Sequence, residues 1–244
     1  MQVFFTKDDQ KVNSFKETIS DARISRYLRE SGGDIHLAMS LYHWNSLLSQ
    51  SMYLPLQIWE ISLRNRLNQF LCWKYNKNWP YDERANRALA GNARRRLNET
   101  KERFDPDRRT ERVSTNAIVA DLSAGFWVSL LTSSHEQPFV WRYNLTRVFP
   151  NLENLDRQAV STMCDQMLVL RNRVAHHEPI LHMDLPQRRA DLTTLIGAAC
   201  AASSAYCESA CTFEAIWNSK PTLRPANDQS VEANSKGTLS TDGP

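Results

Sequence analysis

The residues best suited to chemistry lie in one short stretch, Leu170-Arg-Asn-Arg-Val-Ala-His-His-Glu-Pro179. Arg171 can grip a phosphate with two parallel hydrogen bonds, Asn172 can orient a phosphate oxygen or an imidazole, and His176 can move a proton. This set suits phosphodiester cleavage and requires no metal ion. A structural interpretation stays open, because cations near a helix C-terminus complement the helix dipole and two histidines can lie on the surface.

Apolar residues recur every three or four positions before this stretch, which predicts a helix that ends near Pro179 with both histidines in its last turn. On such a helix Asn172 and His176 share a face, whereas Arg171 lies about 140° from His176 and ~7.5 Å along the axis. One copy therefore presents a one-sided set of groups. A homodimer, in which two motif helices face one another across a two-fold axis, would complete the site.

The run Arg171-Asn172-Arg-Val-Ala-His176 resembles the signature of HEPN-domain ribonucleases: arginine, a polar residue, three further residues and histidine. Extended to Ile180, it is similar to the form found in the Abi-like (abortive infection) family. Further blocks resemble that family in the same order, and together they span roughly residues 20 to 185. These blocks are Leu41-Tyr-His-Trp44-Asn45, Trp59-Glu60-Ile-Ser-Leu63-Arg64-Asn65, Gly125-Phe126-Trp127-Val-Ser-Leu130 and Phe149-Pro150.

The resemblance implies an all-α, HEPN-like helical bundle with additional helices. It also implies a metal-independent endoribonuclease that acts as a toxin in phage defence, in an abortive-infection or toxin-antitoxin-like system, held in check by an RNA or protein partner. The 2′-hydroxyl of RNA would attack its adjacent phosphate and leave a 2′,3′-cyclic phosphate and a 5′-hydroxyl. Two alternatives stay open: a non-catalytic module that holds a structured small RNA, and a helical bundle that binds an acidic protein.

In the catalytic interpretation His176 moves the proton, Arg171 stabilises charge on the phosphate and Asn172 orients both. His177 is a second candidate for acid or base, since spacings of four and five residues after Arg171 both fit the signature. Arg173 binds phosphate or stabilises the fold.

Glu60, Arg64 and Asn65 form a possible supporting set. Glu60 and Arg64 are four residues apart in the order that favours an intrahelical ion pair, which would stabilise the helix by ~0.2–0.5 kcal/mol. The alternative is that all three support or line the site, because Leu63-Arg-Asn-Arg-Leu67 echoes Leu170-Arg-Asn-Arg-Val174.

Residues 84–112 hold ten Lys and Arg against five Asp and Glu, although the formal net charge of the whole chain is only +3. Such clusters bind nucleic-acid phosphates without reading sequence, because they release counterions. A solvated helix face with intrahelical pairs, such as Glu99 with Arg103, explains the charges equally well. The candidate RNA-binding residues are Arg94, Arg95, Arg96, Arg108 and Arg109.

Composition bounds the remaining possibilities. With 244 residues, 41% hydrophobic, the chain can bury a sizeable core, and only seven glycines together with little strand-like alternation favour an all-helical fold. One domain is expected over residues 1–217, followed by a disordered tail over 218–244 that is rich in Asn, Ser, Thr, Gly and Pro. Five cysteines without a Cys-x-x-Cys pair make a disulfide framework or zinc site improbable and fit the cytoplasm. No cofactor, signal peptide or membrane span is expected.

Helical spacing also gives predictions for individual elements. Asp34 should cap a long apolar pattern that Pro55 divides into two core helices, since proline removes a hydrogen bond from a helix interior. Cys164 is interpreted as a core residue rather than a nucleophile. The other predicted helices are one over 138–149, the motif helix beginning at Asn154 or Asp156, and one over 188–217.

Overall fold

The computed structural model describes residues 8–104 and 113–222. These residues form thirteen α-helices and contain no β-strand, which confirms the predicted all-α class. None of the helices in these ranges has both the length and the apolar character needed to cross a bilayer. The helices are α1 (Asp9–Ile19), α2 (Asp21–Glu30), α3 (Ile35–Lys74), α4 (Glu83–Ala88), α5 (Gly91–Phe104), α6 (Thr115–Asp121), α7 (Ala124–Ser129), α8 (Glu136–Phe139), α9 (Trp141–Val148), α10 (Arg157–Ala175), α11 (Leu185–Ala199), α12 (Ala201–Ser209) and α13 (Phe213–Trp217).

The chain divides into two compact units. The first combines the residues up to Leu47 with those from Ala215 onwards, and the second is Leu48–Glu214. Folding of residues 1–217 as one domain stays a prediction. The predicted disordered tail lies outside the described residues from position 223 onwards.

In the first unit, Val12, Ile24 and Met39 form a buried apolar cluster. As predicted, Asp34 caps α3: its Oδ1 accepts a hydrogen bond of 2.9 Å from the backbone N–H of Leu37. A carboxylate at this position satisfies one of the unpaired N–H groups at the start of the helix.

In the second unit, fully buried aromatic side chains fix the helices around the core. Phe70 of α3 lies 4.7 Å from Trp141 of α9 and 5.6 Å from Phe139 of α8, measured between ring centroids. Phe126 and Trp127 are both buried. These ring contacts fix the C-terminal end of α3 against α8 and α9.

The predicted break at Pro55 is wrong, because α3 continues through it from Ile35 to Lys74. An internal proline costs a helix about 3 kcal/mol. The flanking side chains of Met52, Leu56 and Trp59 are all buried, and burial of each such side chain stabilises the fold by about 1.5–3 kcal/mol. The combined stabilisation from burial of these three side chains outweighs the cost of the proline, so packing keeps α3 continuous.

The predicted helix over 138–149 is divided at Val140, which adopts a left-handed backbone with φ 53°. The N–H of Val140 closes α8 on the carbonyl of Gln137. Side chains two positions apart on one continuous helix, such as 139 and 141, would diverge by about 160°. The break allows both Phe139 and Trp141 to be fully buried.

The predicted helix over 188–217 is also wrong as a single element. Cys200 is extended, with φ −164° and ψ 112°, and it separates α11 from α12. The two helices pack closely where a Cβ on Gly197 would lie 3.7 Å from Ser204 Oγ. Small residues thus lie where α11 and α12 come into contact.

His135 is a buried titratable group that links two parts of the second unit. His135 is only 1% exposed, and its Nε2 accepts a hydrogen bond of 3.0 Å from the backbone N–H of Ala90. The ring stacks on Phe139 with centroids 5.1 Å apart. Burial lowers the pKa of His135, because the charged form is poorly solvated there.

We expect His135 to make stability depend on pH. Its folded pKa lies below its unfolded value, so the unfolded state binds more protons, and the contribution of His135 is complete above about pH 6.5 and falls as the pH decreases below it. His135→Gln keeps an acceptor but cannot titrate. Urea unfolding at about pH 7.5 and about pH 5 should therefore show a smaller loss of unfolding free energy in the variant. Equal losses in both proteins would contradict this role.

Candidate active site

Two helices of the second unit position the candidate site, α10 and the part of α3 that follows Leu47. Asp156 is the N-cap of α10, since its Oδ1 accepts a hydrogen bond of 2.8 Å from the N–H of Ala159. Cys164, Met167 and Leu170 bury one face of α10. The candidate catalytic residues follow at the C-terminal end of this anchored helix.

The end of α10 is a Schellman motif. The helix ends at Ala175, so His176 is the C-cap and His177 lies beyond the helix, rather than both lying in its last turn. The N–H of His177 bonds to the carbonyl of Val174 at 3.2 Å, and that of Glu178 bonds to Arg173 at 2.8 Å. This closure requires a left-handed residue at the position of His177, whose φ is 57°.

A cavity of about 720 Å³ opens between α3 and the end of α10. Both helices contribute charged side chains to its wall, and Tyr53 and Ile61 contribute apolar surface. The lining residues are Ser49, Gln50, Tyr53, Leu56, Gln57, Glu60, Ile61, Arg64, Arg171, Val174, Ala175 and His177.

Glu60 forms a bidentate contact with Arg171. The Nε of Arg171 donates to Oε2 of Glu60 at 2.8 Å, and Nη2 donates to Oε1 at 3.4 Å. A third hydrogen bond, of 3.3 Å, runs from Nη1 to Oδ1 of Asn172. Arginine has five N–H donors, so two remain for a ligand. The expected intrahelical pair with Arg64 is replaced by this contact between helices, because the carboxylate faces α10.

Arg64 is a second guanidinium in the cavity. Its Nε donates to Oδ1 of Asn65 at 3.4 Å, and no carboxylate of the described ranges lies within ion-pair distance of it. The structure thus brings the predicted supporting residues to the cavity: Glu60 and Arg64 line it, and Asn65 contacts Arg64. Two guanidiniums face one carboxylate, which leaves the wall positive.

The structure separates the two candidate histidines. His177 lines the cavity together with Arg171, whereas the exposed His176 is not among the lining residues. Asn172 contributes indirectly, through its bond to Arg171. Arg173 pairs with Glu178 at 3.3 Å and donates to the carbonyl of Pro179 at 3.3 Å, which favours its predicted alternative as a stabiliser of the fold.

The candidate RNA-binding arginines of α5 are all exposed, and none lines the cavity. Arg94 donates to the carbonyl of Leu89 at 3.0 Å, and Arg95 lies 3.7 Å from Glu99. Glu99 thus pairs with Arg95 instead of the expected Arg103, which pairs with Asp121.

Arg96 extends toward α7, where a Cβ on Gly125 would lie 3.2 Å from its Nη1. A side chain at position 125 would thus require a small shift of the Arg96 guanidinium. The other two candidates, Arg108 and Arg109, lie outside the described residues.

Cys164 is not suited to act as a nucleophile. Burial raises the pKa of its thiol to about 12, so it stays protonated at neutral pH. Within residues 8–104 and 113–222, no three His, Cys, Asp or Glu side chains are grouped closely enough to hold a metal ion together.

Sequence reasoning missed Tyr53, whose ring is 62% exposed and lines the cavity. The signal was present in the spacing: Tyr53, Gln57, Glu60 and Arg64 recur at helical intervals on one face of α3. The assumed break at Pro55 hid it, because it placed Tyr53 on a different helix from Glu60.

No family model, curated protein or solved structure gives a significant match to the chain. The resemblance to the Abi-like family stays a prediction.

We expect His177→Gly to stabilise the protein. A left-handed backbone costs an ordinary L-residue about 1 kcal/mol or more, and glycine avoids this cost. His177→Ala is the matched control, because alanine removes the imidazole but keeps the strain. The glycine variant should melt ~2–4 °C above the alanine variant. Equal melting temperatures would show that the strain is negligible.

Proposed function

We propose that the chain is a metal-independent endoribonuclease of the HEPN type that acts in the cavity between α3 and α10. The observation that carries the proposal is the meeting of Arg171, Arg64 and His177 in one cavity, with Glu60 holding Arg171. Two guanidiniums suit a phosphate, and an imidazole can take and return a proton at neutral pH. A role as a toxin in phage defence belongs to the same proposal and rests on the sequence resemblance.

In the proposed reaction the 2′-oxygen of RNA forms a bond to the adjacent phosphorus while the bond from phosphorus to the 5′-oxygen breaks. His177 accepts the proton of the 2′-hydroxyl. Arg171 and Arg64 donate hydrogen bonds to the non-bridging phosphate oxygens, whose negative charge increases in the transition state. The 5′-oxygen leaves and takes a proton from water, and His177 afterwards returns its proton to the solvent, so the products are a 2′,3′-cyclic phosphate and a 5′-hydroxyl.

The backbone at His177 supports a role for its side chain. Glycine is the common residue at this position of a Schellman motif, yet the chain places a histidine there in a strained conformation. Strained residues concentrate at functional sites, where the side chain is needed despite its conformational cost. The reversal at φ 57° also separates the direction of His177 from that of His176, which stays outside the cavity wall.

Glu60 is a positioning residue in this proposal. Its bidentate contact fixes the plane of the Arg171 guanidinium and so preorganises the remaining N–H donors. It also reduces mutual repulsion between Arg171 and Arg64 when no ligand is bound. Tyr53 supplies an exposed ring beside these charges, on which a base can stack.

We further propose that the working unit is a homodimer. Residues on only one side of α10 line the cavity. His176 is exposed at the same end of the helix, but it is not among the lining residues. A second copy related by a two-fold axis would bring its own His176 toward a shared cleft and provide a second proton-transfer group. A partner RNA that inhibits the protein would bind the same positive cleft.

His177→Ala should reduce RNA cleavage about 10²- to 10⁴-fold, the usual contribution of a general acid or base. The exposed loop histidine His182 provides a matched control, and His182→Ala should cleave at the wild-type rate. Cleavage would be measured by mapping RNA ends in the presence of EDTA, where wild-type activity should persist.

Three outcomes would revise this proposal. Loss of wild-type cleavage in EDTA with recovery on addition of a divalent ion would exclude the metal-independent mechanism. Full activity in His177→Ala with loss in His176→Ala would assign the proton transfer to His176. RNA binding without any cleavage, equal for RNA and for RNA with a 2′-deoxy nucleotide at the bound site, would identify a non-catalytic RNA-binding module.

The homodimer predicts that specific activity falls on dilution together with molecular mass in solution. Light scattering and cleavage would be followed over the same concentration series at constant salt, since charge repulsion in the cleft depends on screening. A monomer with constant activity per chain at every concentration would exclude a composite site.

A further inference from the structure

Two segments that are distant in sequence carry cations and no acid. Residues 61–81 contain four Lys and Arg, residues 137–152 contain two Arg, and neither segment contains Asp or Glu. The folded chain packs them together, because Phe70 contacts Phe139 and Trp141. Their combined charge is twice the formal net charge of +3 for the whole chain.

Aromatic rings are exposed among these cations. Trp73 is 54% exposed and Tyr143 is 70% exposed. The guanidinium carbon of Arg147 lies 3.7 Å from the centroid of the Trp73 ring, and that of Arg142 lies 5.4 Å from the Tyr143 ring. Tyr143 and Arg147 are four residues apart on α9 and so share a face. We call the surface formed by Trp73, Lys74, Arg142, Tyr143 and Arg147 the Trp73 surface.

The cations of the Trp73 surface are not neutralised within the described part of the chain. No carboxylate there lies within ion-pair distance of Lys74, Arg142 or Arg147. Three of the four acids that flank the two segments are in ion pairs: Glu60 with Arg171, Asp82 with Arg84 and Glu136 with Arg157. Glu136 also accepts a hydrogen bond of 3.2 Å from the backbone N–H of Arg142, and the fourth acid, Glu153, is exposed. The positive charge is therefore available to a ligand.

We infer that the Trp73 surface binds single-stranded nucleic acid. Bases would stack on Trp73 and Tyr143, and phosphates would pair with Lys74, Arg142 and Arg147. Single strands favour this combination, because their base faces are free to stack whereas those of a duplex are covered by neighbouring bases. Folded protein partners also use tryptophan, tyrosine and arginine, but the three cations of the Trp73 surface, none of which is in an ion pair within the described ranges, suit a polyanion.

This surface is distinct from the cavity. Trp73 follows Arg64 by nine residues, which places it ~13 Å farther along α3 and roughly 180° around the helix. The inference therefore goes beyond the proposed function, and binding here would hold even if the cavity had no activity.

The test uses the full-length protein and a fluorescein-labelled single-stranded DNA of roughly ten nucleotides. This probe lacks 2′-hydroxyls, so the proposed chemistry cannot cleave it. Fluorescence anisotropy should show that Trp73→Ala and Tyr143→Ala each weaken binding at least about fivefold. The control Tyr206→Ala removes another exposed tyrosine, 56% exposed on α12, and should bind like the wild type.

Further variants separate stacking from charge. Arg147→Gln should weaken binding and reduce the slope of log affinity against log salt by about 0.7, the value for one lost phosphate contact on a single strand. Arg147→Lys keeps the charge but loses the planar guanidinium, so the salt slope should persist while affinity falls. Trp73→Phe should keep most of the affinity, but it should lose the quenching of tryptophan fluorescence, since Trp73 is the one exposed residue among the seven tryptophans.

Wild-type affinity in Trp73→Ala, Tyr143→Ala and Arg147→Gln would overturn the inference, as would the absence of binding by the wild type at low salt. Self-association of the wild type that Trp73→Ala abolishes, without DNA binding, would instead identify a contact between protein copies. Thermal melting checks that each variant is folded. Should Trp73→Ala fail to fold, the exposed positions Tyr143 and Arg147 carry the same test.

Discussion

The ion pair between Glu60 and Arg171 fixes the arrangement on which the candidate site depends. Both side chains are partly exposed, and pairs of this kind contribute at most about 1 kcal/mol to stability. The buried apolar faces of the two helices contribute far more. The pair therefore matters for orientation: it joins α3 to α10 at the level of the cavity and sets the plane of the guanidinium. Removal of the carboxylate would leave two arginines facing each other without compensation.

Two strained residues show where packing or function overrides backbone preference. Val140 is a β-branched residue in a left-handed conformation, and the adjacent Phe139 and Trp141 are both fully buried because the helix is interrupted there. His177 has the same backbone conformation without a comparable burial of its neighbours. Core packing accounts for the first case. At His177, the position of the side chain at the cavity is the better explanation for the strained backbone.

Positive charge is distributed unevenly over the second unit. The most basic stretch of the sequence, 84–112, is partly compensated by pairs such as Arg95 with Glu99. The less conspicuous segments 61–81 and 137–152 contain cations and no acid, and they come together only because α3 and α9 pack together. Charge counted along the sequence thus identified a different region from charge counted on the folded surface.

The sequence by itself determined the all-helical class and the cap at Asp34, and it narrowed the start of the motif helix to Asn154 or Asp156, because helical spacing and N-cap chemistry are local properties. It also identified the region of the candidate site, since Arg171, His177, Glu60 and Arg64 were all named from short patterns. Tertiary structure decided the rest. Buried neighbours favour a continuous α3 through Pro55, and an extended backbone at Cys200 separates α11 from α12. The choice between His176 and His177 at the cavity depended on a left-handed backbone that only the closed helix end imposes, and the partner of Glu60 depended on which helix lay opposite. These outcomes follow from contacts between residues far apart in sequence, which spacing along one segment does not contain.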